Sequence, residues 1–104
     1  MIHKFKKAYE FEGRSYTEIE IPLESVTGAE LARLSRRFLN EHREVNPATV
    51  LFDYGFAAEL AAKCAKQPLE FFEQMPAPDY VNIAAAVIRF FFDAESAAAT
   101  PQNS

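Results

Sequence analysis

Hydrophobic and polar positions along the chain follow one period at the start and another afterwards. In "HKFKKAYEF", Phe5, Tyr9 and Phe11 share the odd positions. In "YTEIEIP", Thr17, Ile19 and Ile21 are odd, set against Tyr16, Glu18 and Glu20. Alternation with period two marks a half-buried strand. "EGRS" between the two runs holds Gly13, which tolerates the positive φ of a tight reversal. Pro22 ends the second strand because it has no N–H for the ladder. The pattern predicts a β-hairpin, and a lone hairpin needs something to rest on.

From residue 27 the period becomes helical. Thr27 and Glu30 have capping-box spacing, with Val26 and Leu31 placed as a hydrophobic staple. Leu31, Leu34, Phe38 and Leu39 then recur at steps of three and four, predicting a helix that frays near His42. "REVNPATV" reads as a loop, since Pro47 keeps Asn46 out of helical geometry. A second helix is expected from Phe52 or Asp53 to Lys66, with a stripe of Tyr54, Ala57, Ala58, Ala61, Cys64 and Ala65. Pro68 ends it and opens a short helix, "PLEFFEQM", with Leu69, Phe72 and Met75 inward. The last helix spans about Pro78 to Glu95. One stripe is Tyr80, Ile83, Ala84, Val87 and Phe91, flanked by a second of Val81, Ala85, Ile88 and Phe92. The pattern implies an α+β fold, an N-terminal β-hairpin packed on a small bundle of three to four helices with the last helix as its spine. Residues 1–95 form one domain, and 96–104 are expected to be a disordered tail.

Three consecutive rings in that last helix change the picture. Phe90, Phe91 and Phe92 sweep roughly 200° of its circumference, whereas a surface helix offers an apolar stripe a little over 100° wide. Hiding all three strains a chain of 104 residues, so a partner is expected to cover the surplus. The binding-surface candidates are Tyr80, Ile88, Phe91 and Phe92, with Phe71 and Phe72 beside them. The competing reading puts all six in the core. Uncovered, such a surface drives self-association.

Composition and charge narrow the classes. Hydrophobic residues make up 49% and charged residues 25%, ordinary for a folded domain. A net charge of −4 argues against a nucleic-acid module. Lys4, Lys6 and Lys7 beside His3 read as edge-strand protection. A single cysteine, Cys64, allows no internal disulfide. No apolar leader opens the chain and no run approaches the ~20 residues of a membrane span, so a soluble intracellular protein is expected.

Candidate chemistry is sparse. His3 and His42 lie in different elements without ligands at metal spacing and read as surface histidines. Cys64 has Lys63 and Lys66 nearby but lies late in a helix, where the dipole opposes a thiolate. Glu10, Glu12, Glu18, Glu20 and Glu24 read as solvated carboxylates, and three scattered glycines make no phosphate loop. The expectation is no enzyme activity and no metal or cofactor.

The order of short motifs carries a resemblance. Phe11, Gly13, Tyr16 and Ile19 match an "F-x-G-x-x-Y-x-x-[IL]" strand pair. Val26, Thr27, Gly28, Glu30 and Leu31 match a "[LV]-T-G-x-[DE]-[LI]" helix start. Leu60 to Lys63 form an "LAAK" helix, and Met75, Pro76, Asp79 and Tyr80 match "[LM]-P-x-x-D-[FY]". In this order, over roughly residues 5 to 92, the chain resembles the tail assembly chaperones of long-tailed phages. Gln67 departs from the pattern, which often has glycine before the proline of the third helix. The resemblance implies a non-catalytic factor that binds and solubilises the tape measure protein in the bacterial cytoplasm. It further implies the tail tube protein as a second partner and absence from the finished virion, while a homo-oligomer is expected from the three consecutive rings. The alternatives are a structural tail component retained in the virion, or a small adaptor or regulatory interaction protein.

Overall fold

The computed structural model describes residues 1–99, with side chains through Phe92. Strand β1 (Ile2–Phe11) pairs antiparallel with β2 (Arg14–Glu20) in a two-stranded sheet. The reversal takes two residues, Glu12 and Gly13, at φ 49° and 80°. Positive φ at both positions suits the right-handed twist of the strands. Pairing runs Tyr9↔Tyr16 near the turn and Lys4↔Glu18 near the end, with a register shift between Lys4 and Tyr9. Four residues of β1 there face only Thr17, which flips the parity of β2. Ile19 stays inward, but Tyr16 rather than Thr17 turns toward the core, correcting the expected alternation.

After a 3₁₀ turn at Leu23–Ser25, α1 (Gly28–Glu41) starts on the expected capping box, with Glu30 N–H donating to Thr27 Oγ1 and Thr27 N–H to Glu30 Oε1. The expected loop after it contains a 3₁₀ segment, Pro47–Phe52, irregular at Thr49. Pro47 has no N–H to lose at a first helical position, and Asn46 Oδ1 accepts from Ala48 N–H. Helix α2 (Tyr54–Ala65) is capped by Asp53, whose Oδ1 accepts from Phe56 N–H at 3.0 Å. It ends on Lys66 at φ 58°, with Gln67 N–H donating to Ala62 O. That is a Schellman closure with its left-handed residue one place before Gln67.

A five-residue α3 (Leu69–Glu73) and a long α4 (Ala77–Ala99) complete the fold. Helix α4 continues past the expected end at Glu95. Of the expected tail, 100–104 lie outside the described residues, as do the side chains from 93 on. The central element is α2 rather than α4: Phe56, Ala57, Ala58, Leu60, Ala61 and Ala62 are all buried, and α1, α3, α4 and the 47–52 segment all pack on it. Tyr54, expected in its inward stripe, is exposed.

The hairpin closes over α3. Phe71 meets Tyr9, Phe11, Tyr16 and Phe72 edge-on, with ring centroids 5.0–5.2 Å apart. Edge-to-face contacts of this kind add to the burial of each ring. Tyr9 Oη donates to Phe71 O at 2.7 Å inside this cluster, and burial, then Tyr16, raises the Tyr9 phenol pKa. A smaller core of Phe38, Val50 and Phe56 joins α1 to the 47–52 segment and α2. Among the described residues no helix is long and apolar enough to cross a membrane.

Candidate functional site

The six expected surface residues part company. Phe71 and Phe72 are 0% and 1% exposed, sealed between the hairpin and the helices, and offer nothing to a partner. The hairpin's aromatic face, which needs a support, is what covers them. Tyr80 is half-buried on another side, where its hydroxyl donates to Tyr54 O at 3.4 Å. Burial raises its pKa, with Asp53 and Glu73 adding to it.

Ile88, Phe91 and Phe92 do come together, in the second half of α4. Phe90 and Phe91 are half-buried and meet edge-on at 5.2 Å. Phe92 is 37% exposed and stacks on Phe52, itself 56% exposed, with centroids 4.8 Å apart and planes 11° from parallel. None of the three consecutive rings is sealed. Under the stack, Leu31, Leu60, Val87, Ile88, Phe91 and Phe92 line a narrow apolar gap of about 10 Å³. Beside it lies an open groove of about 480 Å³, with Leu31, Ala32 and Ser35 of α1 on one wall and Leu51, Phe52 and Phe92 on the other.

The groove takes its form from three local causes. Small residues at Gly28, Ala32 and Ser35 leave that flank of α1 without bulk. The Pro47–Phe52 segment presents Leu51 and Phe52 outward because Val50 alone reaches the core. Helix α4 brings Phe92 there because its inward stripe is filled by Ile83, Ala84 and Val87. Leu51 and Phe52 escape a reading by period because a 3₁₀ segment has neither strand nor α-helical spacing. The only signal was the apolar run "VLF" inside a stretch read as loop and helix start.

Space also corrects the histidines. His3 is largely buried, and its Nε2 donates to Asp79 Oδ1 at 2.8 Å, tying β1 to the first turn of α4. His42 stacks on Phe38 at 4.2 Å and has Glu59 at 3.7 Å from Nε2 and Glu44 at 3.7 Å from Nδ1. Donor atoms of Glu41, His42 and Glu59 lie within 4.8 Å of one another, beside a hollow of about 250 Å³ that Tyr80 also lines. Sequence spacing missed this group because Glu59 arrives from another helix. Burial, then Glu41, raises the Glu59 pKa, while His42 and Arg37 oppose the shift. Cys64 is half-buried beside Lys63, and burial, then Glu30, pushes its thiol up, against nucleophilic activation. Glu10, Glu12, Glu18, Glu20 and Glu24 are exposed.

What these elements define is a small α+β domain with an open apolar groove at one end. Compared with known protein families, with curated proteins and with solved structures, the chain matches none of them.

Proposed function

We propose that this chain is a non-catalytic phage tail assembly chaperone that binds and solubilises the tape measure protein during tail morphogenesis. The groove bounded by Leu51, Phe52 and Phe92 supports this reading. Its small-residue wall on one side and the apolar Leu51, Phe52 and Phe92 on the other suit an amphipathic helix laid into it, apolar face down. The order of sequence motifs supports the same reading. A chaperone of this kind works in the bacterial cytoplasm, holds its client until tail tube subunits arrive, and leaves before the virion is complete. Between clients its exposed rings associate with those of other copies, so light scattering should show oligomers at micromolar concentration that dissociate in Phe52→Asp/Phe92→Asp. A strict monomer would oppose the oligomeric part of the reading.

Co-expression with the tape measure protein of the same tail operon is the test. The expected result is a several-fold gain in soluble tape measure protein, lost with Phe52→Asp/Phe92→Asp. Unchanged solubility with the wild-type chain would overturn the function. A chain found in purified virions would instead favour a structural component.

A further inference from the structure

Two helices bring together a group of side chains that the proposed function leaves unused. Glu41 is the last residue of α1 and His42 its C-cap, while Glu59 comes from the middle of α2. One donor atom from each lies within 4.8 Å of the others, with Glu41 exposed and His42 and Glu59 half-buried. His42 Nε2 stands 3.7 Å from Glu59 Oε2. Donors around a tetrahedral zinc ion, each about 2.0–2.1 Å from the metal, stand about 3.3 Å apart. A small rotation of the exposed Glu41 closes the set. The imidazole is already oriented. Its ring lies on Phe38 at 4.2 Å, and Nδ1 faces Glu44 at 3.7 Å, on the side where an outer carboxylate holds a metal-bound histidine.

Charge favours a cation at the same place. The adjoining hollow of about 250 Å³ is lined by four carboxylates, Glu44, Asp53, Glu59 and Glu73, and among the described residues by no lysine or arginine. Helix α1 directs its negative end there and has no basic residue in its last turn. Arg37 acts on Glu59, but among the described residues the two form no ion pair. We infer that Glu41, His42 and Glu59 bind one zinc ion, with Glu44 positioning His42, so that the metal clamps the end of α1 onto α2. A nitrogen donor beside two carboxylates suits zinc better than magnesium or calcium, which prefer oxygen alone. Three protein donors leave a fourth position for water. The site is separate from the groove, since Tyr80, which lines the hollow, precedes Phe92 by about 18 Å along α4.

Isothermal titration calorimetry of the untagged chain, stripped of metal with EDTA, is the test. Zinc chloride should bind at one equivalent per chain with a micromolar Kd. It should raise the melting temperature by about 10 °C at a hundredfold excess over Kd. Magnesium chloride and butylammonium chloride should not bind in the same range. His42→Gln and Glu59→Gln should each weaken zinc by about 100-fold and Glu44→Gln by about 10-fold, while Cys64→Ala leaves it unchanged. Circular dichroism of the metal-free variants should match that of the wild type. In the wild-type chain, zinc should also shift the His42 ring resonances in proton–nitrogen NMR spectra, a readout that needs no variant. Absence of zinc binding, unchanged affinity in His42→Gln, or a His42 ring that stays silent at saturating zinc would overturn the site. Equal binding of magnesium or butylammonium would overturn it too, leaving a hollow that takes any cation.

Discussion

His3 and Asp79 are 76 positions apart in the chain and 2.8 Å apart in space. Among the described residues Asp79 is the one buried acidic or basic side chain, only 8% exposed. A buried charge stripped of its partner is costly, while removing both partners is much less so. His3→Ala should therefore destabilise the fold by about 2–4 kcal/mol in urea titrations, and His3→Ala/Asp79→Ala should recover part of that loss. Tyr9→Phe leaves the buried Phe71 carbonyl without its donor and should cost about 1–2 kcal/mol. Lys66 shows the opposite case. It holds a left-handed conformation at the end of α2, which glycine adopts freely. Lys66→Gly should stabilise the protein by up to about 1 kcal/mol, read as a higher urea midpoint at unchanged slope.

Between elements, the end of α1 meets the middle of α2 at His42 and Glu59, where burial and Glu41 raise the Glu59 pKa against His42 and Arg37. An acid whose folded pKa is raised binds its proton more tightly when folded. Its ionisation therefore detracts from stability as pH rises from the unfolded pKa, about 4.3, through the folded value. Glu59→Gln should raise the melting temperature at pH 7 by no more than about 2 °C, because the group stays partly solvated. The difference should vanish near pH 3, where both states are protonated. Element identity was legible wherever local chemistry decides it, as in Thr27 and Glu30 opening α1 or Pro22 ending β2. What could not be read is set by distant contacts. The register shift that turns Tyr16 inward depends on Phe71 beneath the sheet. The central place of α2 depends on Phe56 and Leu60 being covered by neighbours from both sides.

At the scale of the whole molecule, one end is closed and the other open. The hairpin seals α3, so Phe71 and Phe72 vanish from the surface, while farther along α4 Phe92 stacks on Phe52, which among the described residues stays 56% exposed. The 200° sweep of Phe90–Phe92 was legible from sequence, and so was part of the groove. Its second wall was not, because Leu51 and Phe52 sit in a segment whose spacing gives no face. Which aromatic pair is core and which is surface follows from where the hairpin lands, a tertiary choice that helical period does not encode. The most direct test is an amide and methyl NMR titration of the chain with a helical segment of tape measure protein. Leu51, Phe52, Ile88, Phe91 and Phe92 should shift together and saturate, with the hairpin's outer face silent. Shifts confined to the hairpin, or none at saturating peptide, would contradict the groove as the docking surface.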